Sequence, residues 1–388
     1  MPRSERAQRG SKPDEVRRPG PPPALVVRRF GEPAMAEALA SALVATGRVQ
    51  RATHGFPTWP ANLHPDAAAA VLSLQPGPVH DPFCGGGTVL VEALLAGRPA
   101  SGADLNPIAA MVARARTAGP ALASPLRAAS RRVAEHSKNT RTTPVPIPES
   151  VERWYEPHVA QEIARMKLGI EAEDKAVQPL LLAVLSSILV KVSYRASDTR
   201  NVREPEHRPP GTTTVLFHKK ARELGRMLDE LPAGGQVRVR VGSAVKLGPP
   251  DGTALVLTSP PYPGVYDYAP MQQLRYAWLG MEPDDALNGE IGSRRTFRAL
   301  GRSEGIRVWR EDTARWVATQ ARGLRSGARM AIVVGDGFVG GRLVDALFPT
   351  VECMEAAGLQ VIARASADRV DHAREVIRIE HLVLAERP

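Results

Sequence analysis

A glycine-rich segment, Asp81-Pro82-Phe83-Cys84-Gly85-Gly86-Gly87-Thr88, separates a short apolar run from a strongly apolar helical stretch. Glycines at such a turn let the backbone approach a ligand where a side chain would collide, and the N-terminus of a helix presents free amide groups. Asp104 ends the next predicted strand, where a carboxylate can accept hydrogen bonds from both hydroxyls of a ribose. The segment therefore predicts a site for an adenosine-containing cofactor.

The spacing of these residues disfavours two common adenosine-containing cofactors, a nicotinamide dinucleotide and ATP. The glycines do not follow the dinucleotide fingerprint, and no Gly-Lys-Ser/Thr sequence for a nucleoside triphosphate follows them. A plain tight turn between strand and helix is the alternative interpretation, but it does not account for the aspartates on both sides of the turn.

A second group of residues, Ser259-Pro260-Pro261-Tyr262, directly follows a predicted strand at residues 254–258. The prolines fix the backbone and remove amide donors, which leaves the nearby carbonyl groups free to accept hydrogen bonds. The Ser259 hydroxyl and the Pro260 carbonyl are therefore expected to accept the hydrogens of an amino group on an aromatic ring. Such contacts favour a pyramidal nitrogen whose lone pair points at an electrophile. A proline turn followed by core aromatic residues is the alternative interpretation.

Aromatic residues cluster around this second motif. Four of the six tyrosines fall in its neighbourhood: Tyr262, Tyr266, Tyr268 and Tyr276. They offer stacking surfaces for an extruded base, and Tyr262 is the first candidate. Asp267 lies among them and is either a general base or a solvated loop acid, and we favour the second interpretation.

Together, these residues resemble the S-adenosylmethionine-dependent amino-methyltransferases of nucleic acids. Residues 81–88 are similar to the cofactor loop of that family, and Ser259-Pro260-Pro261-Tyr262 is similar to its catalytic motif in the serine form. In the family, the serine form is associated mostly with the N4 amino group of cytosine in DNA. The resemblance implies an α/β fold with a Rossmann-like, seven-stranded class I methyltransferase sheet, and S-adenosyl-L-methionine as cofactor.

The resemblance also implies roles for individual residues. The residues implied to bind the cofactor are His54, Asp81, Phe83, Cys84, Gly85, Gly87, Thr88, Asp104, Leu105, Asn106 and Ser243, and those of the catalytic motif are Ser259, Pro260, Pro261 and Tyr262. Asp81 would approach the methionine amino group and Asp104 would hold the ribose. Ser243 stands where the family often has an aspartate near the adenine. His54 opens a His/Pro-rich segment, residues 54–60, that is similar to one closing the methionine end of the site, although a structural histidine is an equal alternative.

Around these motifs the pattern alternates strands and helices, which is typical of a parallel, doubly wound sheet. Strands are predicted at residues 79–81, 100–104, 237–241, 254–258 and 330–334, and helices at 88–96, 107–116, 154–168, 179–192 and 217–231. Two β-rich runs at 360–365 and 376–384 are expected to form an antiparallel hairpin at the sheet edge. The predicted organisation is a basic disordered tail (1–30), a first core part with the cofactor loop (31–119), a helical insertion (120–235) and a second core part with the catalytic motif (236–388).

Composition narrows the class of protein. The chain of 388 residues is 43% hydrophobic and 24% charged, as in a globular protein, and it lacks an apolar run long enough to span a membrane. Two cysteines cannot form a disulfide framework or a four-thiolate zinc site, so no metal is expected. Half of the net charge of +10 lies in residues 1–30. We expect a cytoplasmic protein without a signal peptide or a membrane partner.

The sequence thus predicts methyl transfer to an exocyclic amino group, most specifically N4 of cytosine in DNA after base flipping, in a restriction-modification setting. Two arginine-rich segments, residues 194–208 and 294–310, are candidates for phosphate contacts, and ordinary solvated surface is the equal alternative. Methylation of RNA, of a protein side-chain amide or of a small aromatic amine stays open. A noncatalytic nucleic-acid-binding protein with the same fold is a further alternative.

Overall fold

The computed structural model describes residues 26–57, 62–371 and 376–388. The strands are β1 (Val27–Gly31), β2 (Val79–Asp81), β3 (Ala100–Asp104), β4 (Val237–Val241), β5 (Leu255–Thr258), β6 (Arg329–Gly335), β7 (Gly337–Val339), β8 (Arg342–Val344), β9 (Gln360–Asp371) and β10 (Val376–Glu386). The helices are α1 (Pro33–Leu43), α2 (Pro65–Ser73), α3 (Thr88–Leu95), α4 (Pro107–Arg116), α5 (Ala123–Asn139), α6 (Pro157–Glu171), α7 (Gln178–Leu189), α8 (Thr212–Asp229), α9 (Tyr268–Met271), α10 (Gln273–Leu279), α11 (Asp284–Gly289), α12 (Arg294–Leu300), α13 (Arg302–Arg322) and α14 (Leu347–Ala356).

Eight strands form one sheet, in the order β4-β3-β2-β5-β6-β10-β9-β1. The five strands from β4 to β6 are parallel, whereas β10 is antiparallel to both of its neighbours. Without β1, the remaining seven strands have the order of the class I methyltransferase sheet. In that sheet the last strand runs in reverse and inserts between the fifth and sixth strands, which here correspond to β10 between β6 and β9. The expected Rossmann-like α/β fold is therefore confirmed.

Helices cover both faces of this sheet. Leu255 and Leu257 of β5 pack with α1, α2 and α3, whereas Val256 between them packs with α13 and α14. Because successive side chains of a strand point to opposite faces, the three residues mark the two layers. Among the described residues no helix combines the length and apolar character that a membrane crossing requires.

Residues 120–235 form a helical layer, but this layer shares a core with the first part of the chain. Its helices α5 to α8 bury Leu126, Val184 and Phe217 in one cluster with Ile108 and Val112 of α4. The helices predicted in this region appear as α6, α7 and α8 with shifted ends, and α5 was missed. Helix α5 is strongly polar, with apolar residues on one narrow face only, which hides it from an apolar-run criterion.

Two expectations about the chain ends are wrong. The predicted tail extends to residue 30, but Val27–Gly31 form β1, which pairs with β9 along residues 363–367. The predicted antiparallel pairing of β9 and β10 is present, but the pair does not lie at the sheet edge, because β1 pairs with the outer side of β9. A strand edge left open would invite pairing with other chains, and β1 covers it. Residues 1–25 lie outside the described part of the chain.

Candidate active site

Two cavities lie side by side where the parallel strands end. The first is lined by residues that follow β2, β3, β4 and β5, and the second by residues after β5 and on β10. Asn62, Leu63, Ser259 and Tyr268 line both cavities and so form the wall between them. In open α/β sheets, ligands bind at the carboxyl ends of the strands, which is the position of both cavities.

Asp81 ends β2 and lines the first cavity. Its Oδ1 accepts hydrogen bonds from the Thr258 hydroxyl at 2.6 Å and from the Phe83 amide at 3.1 Å. Burial raises the pKa of this carboxyl to about 7, against the two hydrogen bonds, which lower it. Asp81 is thus a buried acid that is poised to ionise and that a cationic ligand would stabilise in its charged form.

The structure explains why glycine is needed at two positions of the loop. Gly85 and Gly87 have φ of +48° and +83°, in the left-handed region that favours glycine. A Cβ on Gly87 would lie 3.0 Å from the Cβ of Ala113, so this glycine also lets α3 pack against α4. Gly85 lines the first cavity together with Phe83 and Thr88, whereas Gly87 does not, and the cofactor contact of Gly87 stays a prediction.

Cys84 lines the first cavity as a buried thiol. Burial, together with the nearby carboxylates of Asp104 and Asp81, raises its pKa well above the usual value, so it lacks thiolate character. The Phe83 ring packs edge-on against Trp316, with 5.2 Å between ring centroids, and this contact fixes its orientation at the cavity.

Asp104 joins the glycine loop to the end of β3. Its Oδ2 accepts from the Gly85 amide at 2.9 Å and its Oδ1 accepts from the Asn106 amide at 2.8 Å. Burial raises its pKa to about 6. Because each carboxylate oxygen can accept more than one hydrogen bond, both oxygens keep acceptor capacity toward the cavity.

An unpaired donor stands next to this carboxylate. Asn106 caps α4 through its Oδ1, which accepts from the Ile108 amide at 3.0 Å, and it lines the first cavity beside Leu105. Its Nδ2 is buried and has no hydrogen-bond partner among the described residues. Buried donors are normally satisfied, so this one indicates a ligand acceptor. The carboxylates and this donor fit the expected cofactor, S-adenosylmethionine.

The Ser259-Pro260-Pro261-Tyr262 motif follows β5 and lies between the cavities. Pro261 lines the first cavity, Pro260 and Tyr262 line the second, and Ser259 lines both. The Tyr262 hydroxyl donates to Oε1 of Glu380 at 2.8 Å. The Tyr262 ring passes so close to Gly335 that a Cβ there would lie 2.5 Å from Cε2.

Glu380 is a site residue that the sequence analysis missed. It lies on β10, and its Oε2 accepts from Nε of Arg369 at 2.9 Å. Both side chains line the second cavity. No motif surrounds Glu380, and only the pairing of β10 with β6 brings it to Tyr262, so no local signal pointed to it.

His54 has the surroundings of a structural histidine, and its expected cofactor contact stays a prediction. Its side chain is 2% exposed and lies behind the glycine loop instead of lining the cavity. Its Nε2 bonds Oε1 of Glu92 at 2.5 Å, and its Nδ1 accepts from Arg116 at 2.8 Å. Arg116 also donates to the Gly86 carbonyl at 2.6 Å. His54 thus supports the loop from behind through Arg116. Residues 58–60 of the same predicted motif lie outside the described residues.

Glu290 is a second buried carboxylate that the sequence analysis missed. It follows α11, lines the first cavity and has a side chain only 6% exposed. It accepts from the Tyr268 amide and, at 3.1 Å, from the Arg295 guanidinium. Burial raises its pKa.

Ser243, which the sequence predicted to bind the cofactor, lines the first cavity as well, and its Oγ accepts from the Val245 amide at 3.3 Å.

The arginine-rich segments are largely occupied by intramolecular contacts. Residues 294–310 form α12 and the start of α13. Arg307 pairs with Glu304 and Glu311, and Arg310 with Glu352. These pairs favour the surface interpretation of the second segment.

Asp267, which lies among the tyrosines of the second motif, also forms intramolecular contacts. Oδ1 of Asp267 accepts from the Arg295 amide at 2.8 Å, and the same carboxylate lies 3.7 Å from the Arg295 side chain. This pairing agrees with a structural acid. Within the described ranges, no group of three or more His, Cys, Asp or Glu side chains is arranged to hold a metal ion.

Comparison with known proteins adds one relative. The chain is 26% identical over 270 residues to the type II methyltransferase M.MvaI of Kocuria varians, covering 60% of this chain and 59% of that protein. The match thus spans less than two thirds of the relative's length. No family model matches the chain.

Solved methyltransferase structures align only loosely. The rRNA methyltransferase aviRa from Streptomyces viridochromogenes aligns at 14% identity and a TM-score of 0.36, over 90% of this chain and 92% of that chain. TrmN from Thermus thermophilus aligns at 13% identity and a TM-score of 0.34, over 85% of this chain and 50% of that chain. The fold assignment therefore rests on the strand order and not on these alignments.

Proposed function

We propose that the protein transfers a methyl group from S-adenosylmethionine to an exocyclic amino group, and that the acceptor is N4 of cytosine in DNA after base flipping. The observation that carries the proposal is the position of Ser259 in the wall shared by the two cavities. A donor in the first cavity and an acceptor in the second would meet at this residue.

The first cavity suits the donor because its polar groups match the parts of S-adenosylmethionine. Asp81 would hold the methionine ammonium group, and Asp104 the ribose hydroxyls. The cofactor supplies an electrophilic methyl group carried on a sulfonium. The buried setting of both carboxylates strengthens their interaction with a cation and with hydroxyl donors.

The second cavity suits a flat ring that carries an amino group. The Ser259 hydroxyl and the Pro260 carbonyl accept the two amino hydrogens and turn the nitrogen lone pair toward the first cavity. Tyr262 offers a ring for stacking, in a position held by Glu380. A cytosine inside a duplex cannot enter such a cavity, so the base must leave the stack.

Two further points support the proposal, one concerning the acceptor and one concerning the activity. The serine form of the motif is typical of cytosine N4 methylation within the family that the chain resembles. The similarity to a type II methyltransferase supports methyl transfer as the activity. RNA, a protein amide or a small aromatic amine would each be an alternative acceptor, and a noncatalytic protein would transfer no methyl group to any of them.

The test is incubation of the purified protein with methyl-labelled S-adenosylmethionine and separate DNA, RNA and protein fractions. We expect label in DNA, and we expect Ser259→Ala to lower kcat by a factor of about 100 with cofactor affinity unchanged. The matched control is Ser73→Ala, at an exposed serine on α2 far along the chain from the motif. Label confined to RNA or protein, or full activity in Ser259→Ala, would overturn the proposal.

A further inference from the structure

Residues at the ends of four neighbouring strands follow one another along the first cavity. Along the sheet, Ser259 follows β5, Asp81 ends β2, Asp104 ends β3 and Ser243 follows β4. With the methyl group near Ser259, the methionine at Asp81 and the ribose at Asp104, the adenine comes to lie between the ends of β3 and β4. This placement rests on the proposed function.

The segment after β4 brings no carboxylate to the adenine end. Ser243 is there instead of an acid, and its oxygen accepts from its own turn, at the Val245 amide. The adenine end would then lack a strong acceptor for the 6-amino group, unless another segment supplies it. A buried amino group without an acceptor costs free energy, so an acceptor is expected.

Glu290 comes to the first cavity from a different part of the chain. The turn that carries it lies against the residue after Asp104, because a Cβ on Gly289 would be 2.8 Å from Cδ2 of Leu105. Glu290, Gly289 and Leu105 line the first cavity together with Ser243. Glu290 thus lines the same cavity as Ser243, on a turn that packs against the residue after Asp104.

The hydrogen bonds of Glu290 leave it able to accept more. A carboxylate has about four acceptor positions, and within the described residues the Tyr268 amide and the Arg295 guanidinium occupy one each. Arg295 also compensates its charge, which a buried carboxylate requires. Glu290 is therefore held in place on one side and keeps acceptor capacity on the other.

We propose that Glu290 accepts a hydrogen bond from the 6-amino group of the cofactor's adenine, in place of an acid after β4. The amino group is a donor and the carboxylate is an acceptor, so their chemistry matches. A carbonyl oxygen at the same ring position would face the carboxylate with a second acceptor and would be rejected.

The experiment measures binding and not turnover. Calorimetry compares the full chain's affinity for S-adenosylhomocysteine and for S-inosylhomocysteine, whose ring carries a carbonyl oxygen in place of the 6-amino group. We expect the wild type to prefer the adenosine compound about 10- to 100-fold, as for a hydrogen bond to a charged group. Glu290→Gln should lose most of this preference, because an amide can also donate to the carbonyl. Glu282→Gln, at an exposed glutamate that precedes α11, should keep it.

Each outcome separates the two proposals. A wild type that binds neither compound refutes the proposed function itself. A wild type that binds both compounds equally overturns the role of Glu290, even if the variant fails to fold. Retention of the full preference in a folded Glu290→Gln variant overturns it as well. A circular dichroism spectrum and a melting curve establish whether each variant is folded.

Discussion

The raised pKa of Asp81 makes cofactor binding depend on pH near neutrality. Burial raises this pKa to about 7 in the free protein, and only the ionised carboxylate attracts the methionine ammonium group. Cofactor binding is therefore expected to strengthen as the pH rises through 7, because fewer protein molecules must lose the Asp81 proton when they bind.

The size of the effect follows from the ionised fraction. For one group with a pKa of about 7, that fraction is about 9% at pH 6 and about 91% at pH 8. The association constant is thus expected to rise about tenfold between these pH values, which corresponds to about 1.4 kcal/mol. Asp104, with a pKa of about 6, adds a further factor of about two at pH 6.

The assay is calorimetric titration with S-adenosylhomocysteine between pH 6 and pH 8. 5′-Methylthioadenosine serves as control ligand, since it keeps the ribose and adenine but lacks the amino group. Both ligands share the Asp104 contribution, so the ratio of their affinities isolates Asp81. We expect this ratio to rise about tenfold in the wild type and to stay constant in Asp81→Asn. A constant ratio in the wild type, or an unchanged rise in Asp81→Asn, would refute the reasoning.

Three further predictions concern stability and positioning. Because the folded-state pKa of Asp81 is raised, its contribution to stability is present at low pH and is lost as the pH rises toward 7. Asp81→Asn should therefore have a higher melting temperature than the wild type at pH 8 but not at pH 4. An equal difference in melting temperature at both pH values would contradict this. Gly87→Ala should cost about 2–3 kcal/mol in urea unfolding, against about 1 kcal/mol for Gly97→Ala, which has a similar φ but open space around it; equal costs would remove the role of the Ala113 contact. Tyr262→Phe should lose its bond to Glu380 at a cost of about 1 kcal/mol yet keep more activity than Tyr262→Ala, and equal loss of kcat in both would argue against stacking.

The central strands could be predicted from local sequence because strong end signals flank them. The bounds of β2, β3, β4 and α4 agree with the prediction residue for residue. Asn106 and Pro107 fix the start of α4, and the glycine loop fixes the start of α3. The cavity residues near these elements, from Asp81 to Asn106, were predicted for the same reason.

Residues brought to the site by long-range packing could not be predicted. Glu380 reaches Tyr262 only because β10 inserts next to β6, and Glu290 reaches the cavity on a short turn with no motif. Both interpretations of His54 were left open because its motif carries no information on which side of the glycine loop the ring packs. Strand β1 escaped because its pairing partner, β9, lies more than 300 residues away in the chain.

The central claim is that an amino group meets a methyl donor at Ser259, and nucleoside mass spectrometry tests it most directly. Mixed genomic DNA is incubated with the protein and methyl-labelled S-adenosylmethionine, digested to nucleosides and analysed for the position of the label. We expect labelled N4-methylcytosine with the wild type and, in the same reaction time, about a hundredth as much with Ser259→Ala. Label at a ring carbon of cytosine, or equal labelling by the variant, would contradict the claim.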